Sequence, residues 1–196
     1  MGAAGDHARA LVVPLDGRVP DVSGAAFLAP GAVIVGAVTL GAGTSVWYGC
    51  VLRADGGPIV LGRDVNVQDG CILHADPGFP TSVGDRCSLG HGAVVHGATL
   101  EEGVLVGMRA TVLNGAHVGA GSLVAAGAVV RPGMVVPPGS LVAGVPAVVR
   151  REVSEEERRT IAATTATYLG YAAEHRRAVD AAAQGGGAAQ GGGADA

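Results

Sequence analysis

The sequence predicts a mostly β fold, a parallel β-helix of about seven coils followed by one C-terminal α-helix. Three observations lead to this prediction. An aliphatic residue recurs at every sixth position, a small or apolar residue follows it four positions later, and glycine is concentrated between them. This period is typical of a β-helix, in which each unit is a short strand plus a turn and three units close one triangular coil.

The aliphatic series runs through most of the chain. Its members are Leu28, Ile34, Leu40, Val46, Leu52, Leu61, Val67, Leu73, Val83, Leu89, Val94, Leu100, Val106, Val112, Val118, Val124, Val130, Val136, Val142 and Val148. Three places depart from the six-residue spacing: an insertion over residues 53–60, another over 74–82, and a five-residue step from Leu89 to Val94. Functional residues are expected at such interruptions of an otherwise regular repeat.

Glycine supports the β-helix prediction and disfavours helix over the same stretch. The chain has 34 glycines, and many stand one and three positions after an aliphatic residue, as in residues 40–43. Glycine adopts positive φ without a Cβ penalty, which suits turns, whereas it destabilises an α-helix.

The predicted organisation has four segments: a flexible N-terminus over residues 1–11, the β-helix over 12–150, a helix over 151–180 that packs on the β-helix, and a disordered low-complexity tail over 181–196. A capping box, Ser154 to Glu157, predicts the start of the helix. The apolar residues that recur at helical spacing and predict its packed face are Ile161, Tyr168, Leu169 and Ala172.

Composition excludes several classes of partner. The net charge is -4 and the 13 Lys and Arg residues form no basic stripe, so a nucleic-acid partner is not expected. No apolar run reaches the roughly 18 residues that a spanning helix requires. The N-terminus lacks a basic start followed by an apolar core, so a cytoplasmic location without a membrane partner is expected.

The three cysteines, Cys50, Cys71 and Cys87, all fall at the small inward position of the repeat. Their count is odd and no C-x-x-C motif occurs, so neither a disulfide framework nor a thiolate zinc site is predicted. They are expected to be buried thiols that act as small hydrophobic residues.

Three of the six histidines lie at or near the irregular positions. Counting three units per coil places Arg53, His74 and His96 on one face of successive coils. Coil neighbours lie about 4.8 Å apart. Two imidazoles on adjacent coils can therefore reach one metal ion at Zn–N distances of roughly 2.0 to 2.1 Å.

His91 belongs to the preceding face, around a corner from the other two histidines. It joins their ion only if a symmetric trimer brings that corner against the face of a neighbour. The alternative is that these histidines are ordinary surface residues. His7, His117 and His175 are predicted to be a tail, a turn and a helix-surface residue.

Several motifs occur together in this chain: AFLAPG at residues 26–31, VWYG at 46–49, VLRAD at 51–55, NVQDGCILH at 66–74 and GHGAVVHG at 90–97. With them the sequence resembles the γ-class carbonic anhydrases over roughly residues 12–175. The resemblance implies that the β-helix is left-handed, an exception to the right-handed crossover preference.

The resemblance also implies a homotrimer with metal sites shared between subunits. Each site would take His74 and His96 from one subunit and His91 from the next, around Zn2+, with Fe2+ or Co2+ suiting the same ligands. The implied reaction is the reversible hydration of carbon dioxide to bicarbonate by a metal-bound hydroxide at the trimer interface.

Six further residues match functional positions of the family, namely Gln68, Arg53, Asp55, Asn66, Asp69 and Tyr168. Gln68 matches the residue that hydrogen-bonds hydroxide or bicarbonate. Arg53 and Asp55 match an interfacial ion pair. Asn66 and Asp69 match nearby polar positions, and Tyr168 a tyrosine directed at the metal cavity. The alternatives are structural: the ion pair fixes the trimer, Asn66 satisfies a turn, and Tyr168 only packs the helix.

Two departures from the family concern proton transfer. Gly56 follows Asp55 where archaeal members carry Glu, and Asp76 is the sole carboxylate of the loop over residues 75–80. Fast turnover requires proton release to buffer. A catalytically silent metal-binding trimeric scaffold is therefore one alternative function. A hexapeptide acyltransferase or thioesterase is another, although no phosphate-loop motif is present.

Overall fold

The computed structural model describes residues 9–185. The predictions for residues 1–8, including His7, and for the tail over 186–196 lie outside the described residues.

Over this range the chain forms 19 short strands and one helix. The strands are β1 Leu11–Val13, β2 Ala25–Leu28, β3 Val33–Leu40, β4 Thr44–Val46, β5 Val51–Leu61, β6 Asn66–Val67, β7 Ile72–His74, β8 Thr81–Val83, β9 Ser88–Leu89, β10 Val94–His96, β11 Thr99–Leu100, β12 Leu105–Val106, β13 Thr111–Val112, β14 His117–Val118, β15 Leu123–Val124, β16 Val129–Val130, β17 Val135–Val136, β18 Ser140–Ala143 and β19 Val148–Glu152. Helix α1 spans Glu155–Gly185. Leu11, Arg151 and Glu152 are thus strand residues, just outside the predicted β-helix bounds of 12–150.

The strands wind into a left-handed parallel β-helix of about seven coils, as predicted, with three faces. The first face holds β1, the starts of β3 and β5, then β7, β10, β13 and β16. The second holds the ends of β3 and β5, then β8, β11, β14 and β17. The third holds β2, β4, β6, β9, β12, β15 and β18.

The inward column of the first face confirms the repeat and corrects its register at one position. Leu52, Leu73 and Val95 are fully buried and pair along the face, whereas Val94 is only half-buried. The five-residue step therefore lies between Val95 and Leu100, not between Leu89 and Val94. Adjacent valines leave the inward choice open in the sequence, and pairing with Leu73 decides it.

The end of the repeat is a second correction. Val148 was predicted to point inward, but it is 41% exposed. It begins β19, which runs antiparallel to β18 and leaves the coil. The chain has reversed direction there, so the six-residue count no longer describes which side faces the core.

The two predicted insertions project at the same corner, between the first and second faces. In β5, residues 55–58 bulge out between the stretches that pair with the two halves of β3. After β7, Asp76 and Phe79 close a tight turn in which Gly78 has a φ of +81°. Both irregularities therefore gather beside the ends of the first-face strands.

Helix α1 begins at the predicted capping box. The Ser154 hydroxyl accepts from the Glu157 amide at 3.2 Å, and the Glu157 carboxylate accepts from the Ser154 amide at 2.8 Å. The helix runs five residues past the predicted end at Asp180, through residues 181–185. It packs on the third face. No helix within residues 9–185 has the length and hydropathy of a membrane span.

The buried face of α1 differs from the prediction at one residue. Ile161, Thr165 and Ala172 are buried and Tyr168 is half-buried, but Leu169 is 40% exposed. Thr165 occupies the packed position instead because its hydroxyl donates to the backbone carbonyl of Arg86 at 3.1 Å. A polar residue with a buried partner is missed when only apolar residues are counted.

Candidate metal centre

His74 and His96 are direct neighbours on the outside of the first face. They pair in register across β7 and β10, as predicted, and Arg53 pairs with His74 one coil earlier. His74 Nδ1 and His96 Nε2 are 2.8 Å apart. The two rings therefore direct one nitrogen each toward a common point.

Asp55 contacts the opposite side of the His74 ring. Its Oδ1 lies 2.8 Å from His74 Nε2, and its other oxygen forms an ion pair with Arg53. The hydrogen bond with His74, with smaller contributions from a backbone hydrogen bond and from Arg53, lowers the pKa of Asp55 to about 2. Asp55 therefore remains ionised and accepts a hydrogen bond from His74 Nε2, which leaves His74 Nδ1 facing His96.

Two residues beside His96 complete this group, and neither was predicted as part of a metal site. Asn114 Oδ1 accepts from His96 Nδ1 at 2.6 Å, and Asn114 Nδ2 donates to Asp76 Oδ2 at 2.8 Å. Asp76 lies in the second insertion, and the sequence relates it only to proton transfer. Asn114 lies in an Asn-Gly pair, which is the usual signal of a turn, so no sequence signal distinguished it.

These six residues, the His74 cluster, are Arg53, Asp55, His74, Asp76, His96 and Asn114. Ligand atoms of His74, Asp76 and His96 lie within 4.8 Å of one another. Imidazole nitrogens on a tetrahedral zinc-type ion are roughly 3.3 Å apart, given Zn–N distances near 2.0 to 2.1 Å. A small outward turn of either ring reaches that separation, so this pair fits a divalent metal ion.

His91 lies at the other edge of the first face, in the turn between β9 and β10, and is exposed. Its Nδ1 is 2.9 Å from Asp69 Oδ2, and the Tyr168 hydroxyl is 3.3 Å from its Nε2. Burial, and to a smaller extent the charge of Asp69, raise the pKa of Tyr168. The tyrosine therefore stays protonated beside the imidazole.

Gln68 begins a chain of buried polar groups beneath this corner. Gln68 Nε2 donates to Asn66 Oδ1 at 3.0 Å, and Asn66 Nδ2 donates to Ser88 Oγ at 2.7 Å. Ser88 in turn lies 3.4 Å from the Thr165 hydroxyl on α1. Asn66 thus holds the Gln68 amide in one orientation rather than closing a turn.

Tyr168 reaches this corner because an aromatic group anchors α1. Its ring meets Trp47 edge to face at 5.2 Å, and His175 meets Trp47 at 4.8 Å. His175 also hydrogen-bonds the Tyr48 hydroxyl at 3.0 Å, so it is a packing residue and not a free helix-surface residue as predicted. His117, predicted in a turn, begins β14 and pairs with Glu101.

The predicted site residues therefore form two groups on one chain. The second, the His91 cluster, consists of Asn66, Gln68, Asp69, His91 and Tyr168. Within residues 9–185 no hydrogen bond or ion pair joins it to the His74 cluster. Four of the five outward residues between them on the first face are aliphatic, and the fifth is a threonine: Val51, Ile72, Val94, Val129 and Thr111.

The three cysteines have the predicted environment. Cys50, Cys71 and Cys87 are free and fully buried. Burial raises the pKa of the Cys87 thiol to about 12, which keeps it protonated and a poor metal ligand.

Comparison with known proteins places the chain among hexapeptide-repeat proteins. The family described as "Hexapeptide repeat of succinyl-transferase" matches residues 80–108 and 98–132. A Methanocaldococcus jannaschii protein named "Probable carbonic anhydrase" is 49% identical over 142 residues, which cover 72% of this chain and 89% of that protein. "Gamma carbonic anhydrase 1, mitochondrial" of Arabidopsis thaliana is 38% identical over 164 residues, covering 81% of this chain and 60% of that protein.

A solved structure extends the comparison. A hexapeptide transferase family protein from Anaplasma phagocytophilum superposes with a TM-score of 0.79 at 35% identity, covering 83% of this chain and 96% of that chain. Relatives with this architecture thus carry both anhydrase and transferase names.

Proposed function

Since the chain belongs to the γ-class carbonic anhydrase family, we propose that it catalyses the reversible hydration of carbon dioxide to bicarbonate at a metal site shared between subunits of a homotrimer. One observation carries the proposal. His74 and His96 direct two nitrogens to one point at one edge of the first face, and the third histidine of the set lies at the other edge.

The separation of the two clusters supports a shared site. His91 lies in the turn before β10 and His96 is the last residue of β10. Because strand residues advance about 3.3 Å each, the two histidines stand at opposite edges of the face. In a cyclic trimer the two edges of one face can meet, because each subunit offers one edge to each neighbour. The apolar outward residues between the clusters, with Ile72 47% exposed, suit burial in that interface.

The metal ion would be held by His74 and His96 of one subunit and His91 of its neighbour. A zinc-type ion with three imidazole ligands supplies Lewis-acid activation of water near neutral pH. Zn2+, Fe2+ and Co2+ all suit neutral imidazole, so the ligand set leaves the metal identity to analysis.

The residues of the chain orient substrate around that ion. Asn66 fixes the Gln68 amide through Nε2, which leaves Gln68 Oε1 as an acceptor for a hydroxyl of the reacting species. The Tyr168 hydroxyl, held by Trp47 and beside His91, offers a donor on the same side. Asp55 and Arg53 keep the His74 ring in place.

Stopped-flow measurement of carbon dioxide hydration tests the proposal. Protein loaded with zinc, with cobalt, or anaerobically with ferrous iron should accelerate hydration in at least one form, and His91→Ala should abolish the rate. His117→Ala removes a histidine from a carboxylate pair on the second face and should retain it. Absence of activity in every metal form would overturn the proposal.

Similarity to the hexapeptide transferase family protein favours acyl transfer as a second candidate. Calorimetry with acetyl-coenzyme A decides it, because a transferase binds this donor and an anhydrase does not. A silent scaffold is a third candidate, suggested by Gly56 in place of an acidic residue. Loss of both metal and trimer in His91→Ala, with no hydration rate in the parent protein, would favour the scaffold.

A further inference from the structure

Asp76, Asn114 and His96 form a continuous hydrogen-bonded chain on the outside of the first face. Asn114 Nδ2 donates to Asp76 Oδ2 at 2.8 Å, and His96 Nδ1 lies 2.6 Å from Asn114 Oδ1. The three residues come from three separate segments: the second insertion, the turn after β13, and the end of β10.

The chemistry of each group fixes the direction of the chain. The Asn114 NH2 group only donates, and it donates to Asp76 Oδ2, which fixes the orientation of the amide. The carbonyl oxygen of Asn114 then faces His96, and it only accepts. His96 must therefore carry a proton on Nδ1, so Nε2, the atom 2.8 Å from His74 Nδ1, is the nitrogen that can serve as an acceptor or metal ligand.

Backbone geometry makes room for this contact. Gly97, next to His96, has a φ of +58°, and a Cβ built there would overlap Asn114 Oδ1. The Asn114 backbone is held in turn, because its carbonyl accepts from the Gly133 amide at 2.9 Å. The amide therefore occupies space that any residue other than glycine at position 97 would fill.

We propose that Asn114 and Asp76 are positioning residues that hold His96 as the Nδ1-protonated tautomer and present its Nε2 to the metal ion. The inference deepens the proposed function, since it takes His96 as a ligand from it. Asp55 and Asp69 play the corresponding part for His74 and His91. His96 differs in that its hydrogen bond runs through an amide, while the Asp76 carboxylate itself lies 3.9 Å from His96 Nδ1 and 3.6 Å from His74 Nδ1. Partners of this kind set ring orientation and ligand basicity at metal sites.

The test uses the full-length protein and the variants Asn114→Leu, Asn114→Asp, Asp76→Asn and the exchanged double variant Asp76→Asn/Asn114→Asp. Zinc affinity is measured by competition with a chelator. The His96 tautomer is read from 15N chemical shifts of the metal-free protein. Asn114→Leu should weaken zinc binding by about 10- to 100-fold and remove the preference for the Nδ1 proton.

The exchanged double variant distinguishes an orienting role of Asp76 and Asn114 toward His96 from a purely structural role. Asn114→Asp alone sets two carboxylates side by side and should weaken zinc binding. In the double variant Asn at 76 donates to Asp at 114, which still accepts from His96, so affinity should return to within about threefold of the parent protein. Glu101→Gln, a matched change beside His117 on the second face, should leave zinc affinity unaltered.

Two results would overturn the proposal. One is parental zinc affinity and an unchanged tautomer in Asn114→Leu that is folded by circular dichroism. The other is a double variant that binds zinc no better than Asp76→Asn alone, as expected if Asp76 were itself a ligand. Both readouts are independent of hydration activity, so a protein that follows these expectations without hydrating carbon dioxide contradicts the proposed function alone.

Discussion

Each of the three histidines is held through one ring nitrogen by an oxygen acceptor, and the second nitrogen of His91 contacts the Tyr168 hydroxyl at 3.3 Å. Asp55 contacts Nε2 of His74, Asp69 contacts Nδ1 of His91, and Asn114 contacts Nδ1 of His96. The free nitrogens of His74 and His96 face each other. At 2.8 Å these two nitrogens share one proton in a hydrogen bond, and a divalent cation that replaces this proton would satisfy both nitrogens at once.

The buried amides beneath His91 lead to a prediction for Asn66. Replacing Asn66 by Ala leaves Gln68 Nε2 without its partner in a buried environment and leaves Ser88 Oγ with only the 3.4 Å contact to the Thr165 hydroxyl. We expect a loss of about 1 to 3 kcal/mol in unfolding free energy, measured by urea denaturation at fixed protein concentration, and a lower hydration rate because Gln68 is no longer oriented.

Ser23→Ala provides the matched control for Asn66→Ala. The Ser23 hydroxyl donates to Asp21 at 2.7 Å, but this hydrogen bond is exposed, so its loss should change stability by no more than about 0.5 kcal/mol. Equal effects of the two substitutions would contradict the view that the Asn66 hydrogen bonds matter through their burial.

At the scale of strands and helix, the sequence predicted the elements better than the contacts between them. Six-residue spacing predicted the coils, and with it the stacking of His74 on His96. The choice between Val94 and Val95 was wrong, because both are β-branched and only cross-strand pairing separates them. Asn114 was missed because its partners come from segments distant in sequence, one of them an insertion that the repeat does not describe.

The start of α1 leads to a prediction for acid stability. The Arg151 guanidinium and the Ser154 amide lower the pKa of Glu157 to about 2, from an ordinary value of 4.5. A lowered carboxyl pKa stabilises the folded state above the unfolded pKa, and this contribution is lost as pH falls through the folded pKa. The stability difference between parent protein and Glu157→Gln should be constant above about pH 5 and vanish between about pH 4.5 and pH 2.

Glu156→Gln is the control for this pH dependence. Glu156 lies in the same helical turn, and within residues 9–185 its carboxylate makes no ion pair. Unfolding monitored by circular dichroism at several pH values should give a smaller pH dependence than Glu157→Gln in the same interval, because Glu156→Gln leaves the Arg151–Glu157 ion pair intact. The same pH profile in both variants would contradict the role assigned to the Arg151 contact.

For the whole molecule, the division of the predicted site between two edges of one face is the central fact. One chain cannot bring the two clusters together, because strands β7 and β10 span the face between its two edges. Sequence spacing alone predicted that His91 could not join the other two histidines within one chain, and the structure agrees on its placement. The homotrimer that we propose would bring the two edges of neighbouring subunits together. Metal binding and oligomerisation would then depend on each other.

Mixing inactive subunits tests whether the site is shared. A His91→Ala subunit keeps His74 and His96, and a His74→Ala subunit keeps His91. Neither alone can complete a shared site, but when equal amounts are refolded together, about a quarter of the interfaces should pair the intact halves. Bound metal and hydration rate should then recover to about a quarter of the parent values, whereas a site built within one chain would recover nothing.

A second mixture makes the mixing experiment specific. His74→Ala and His96→Ala subunits both carry an intact His91, but no chain has both members of the first-face pair. No interface in this mixture has a complete site, whichever way the subunits combine. It should therefore stay inactive although its subunits exchange equally well. Recovery here would mean that His74 and His96 are not required from the same chain, which their 2.8 Å contact leads us to expect.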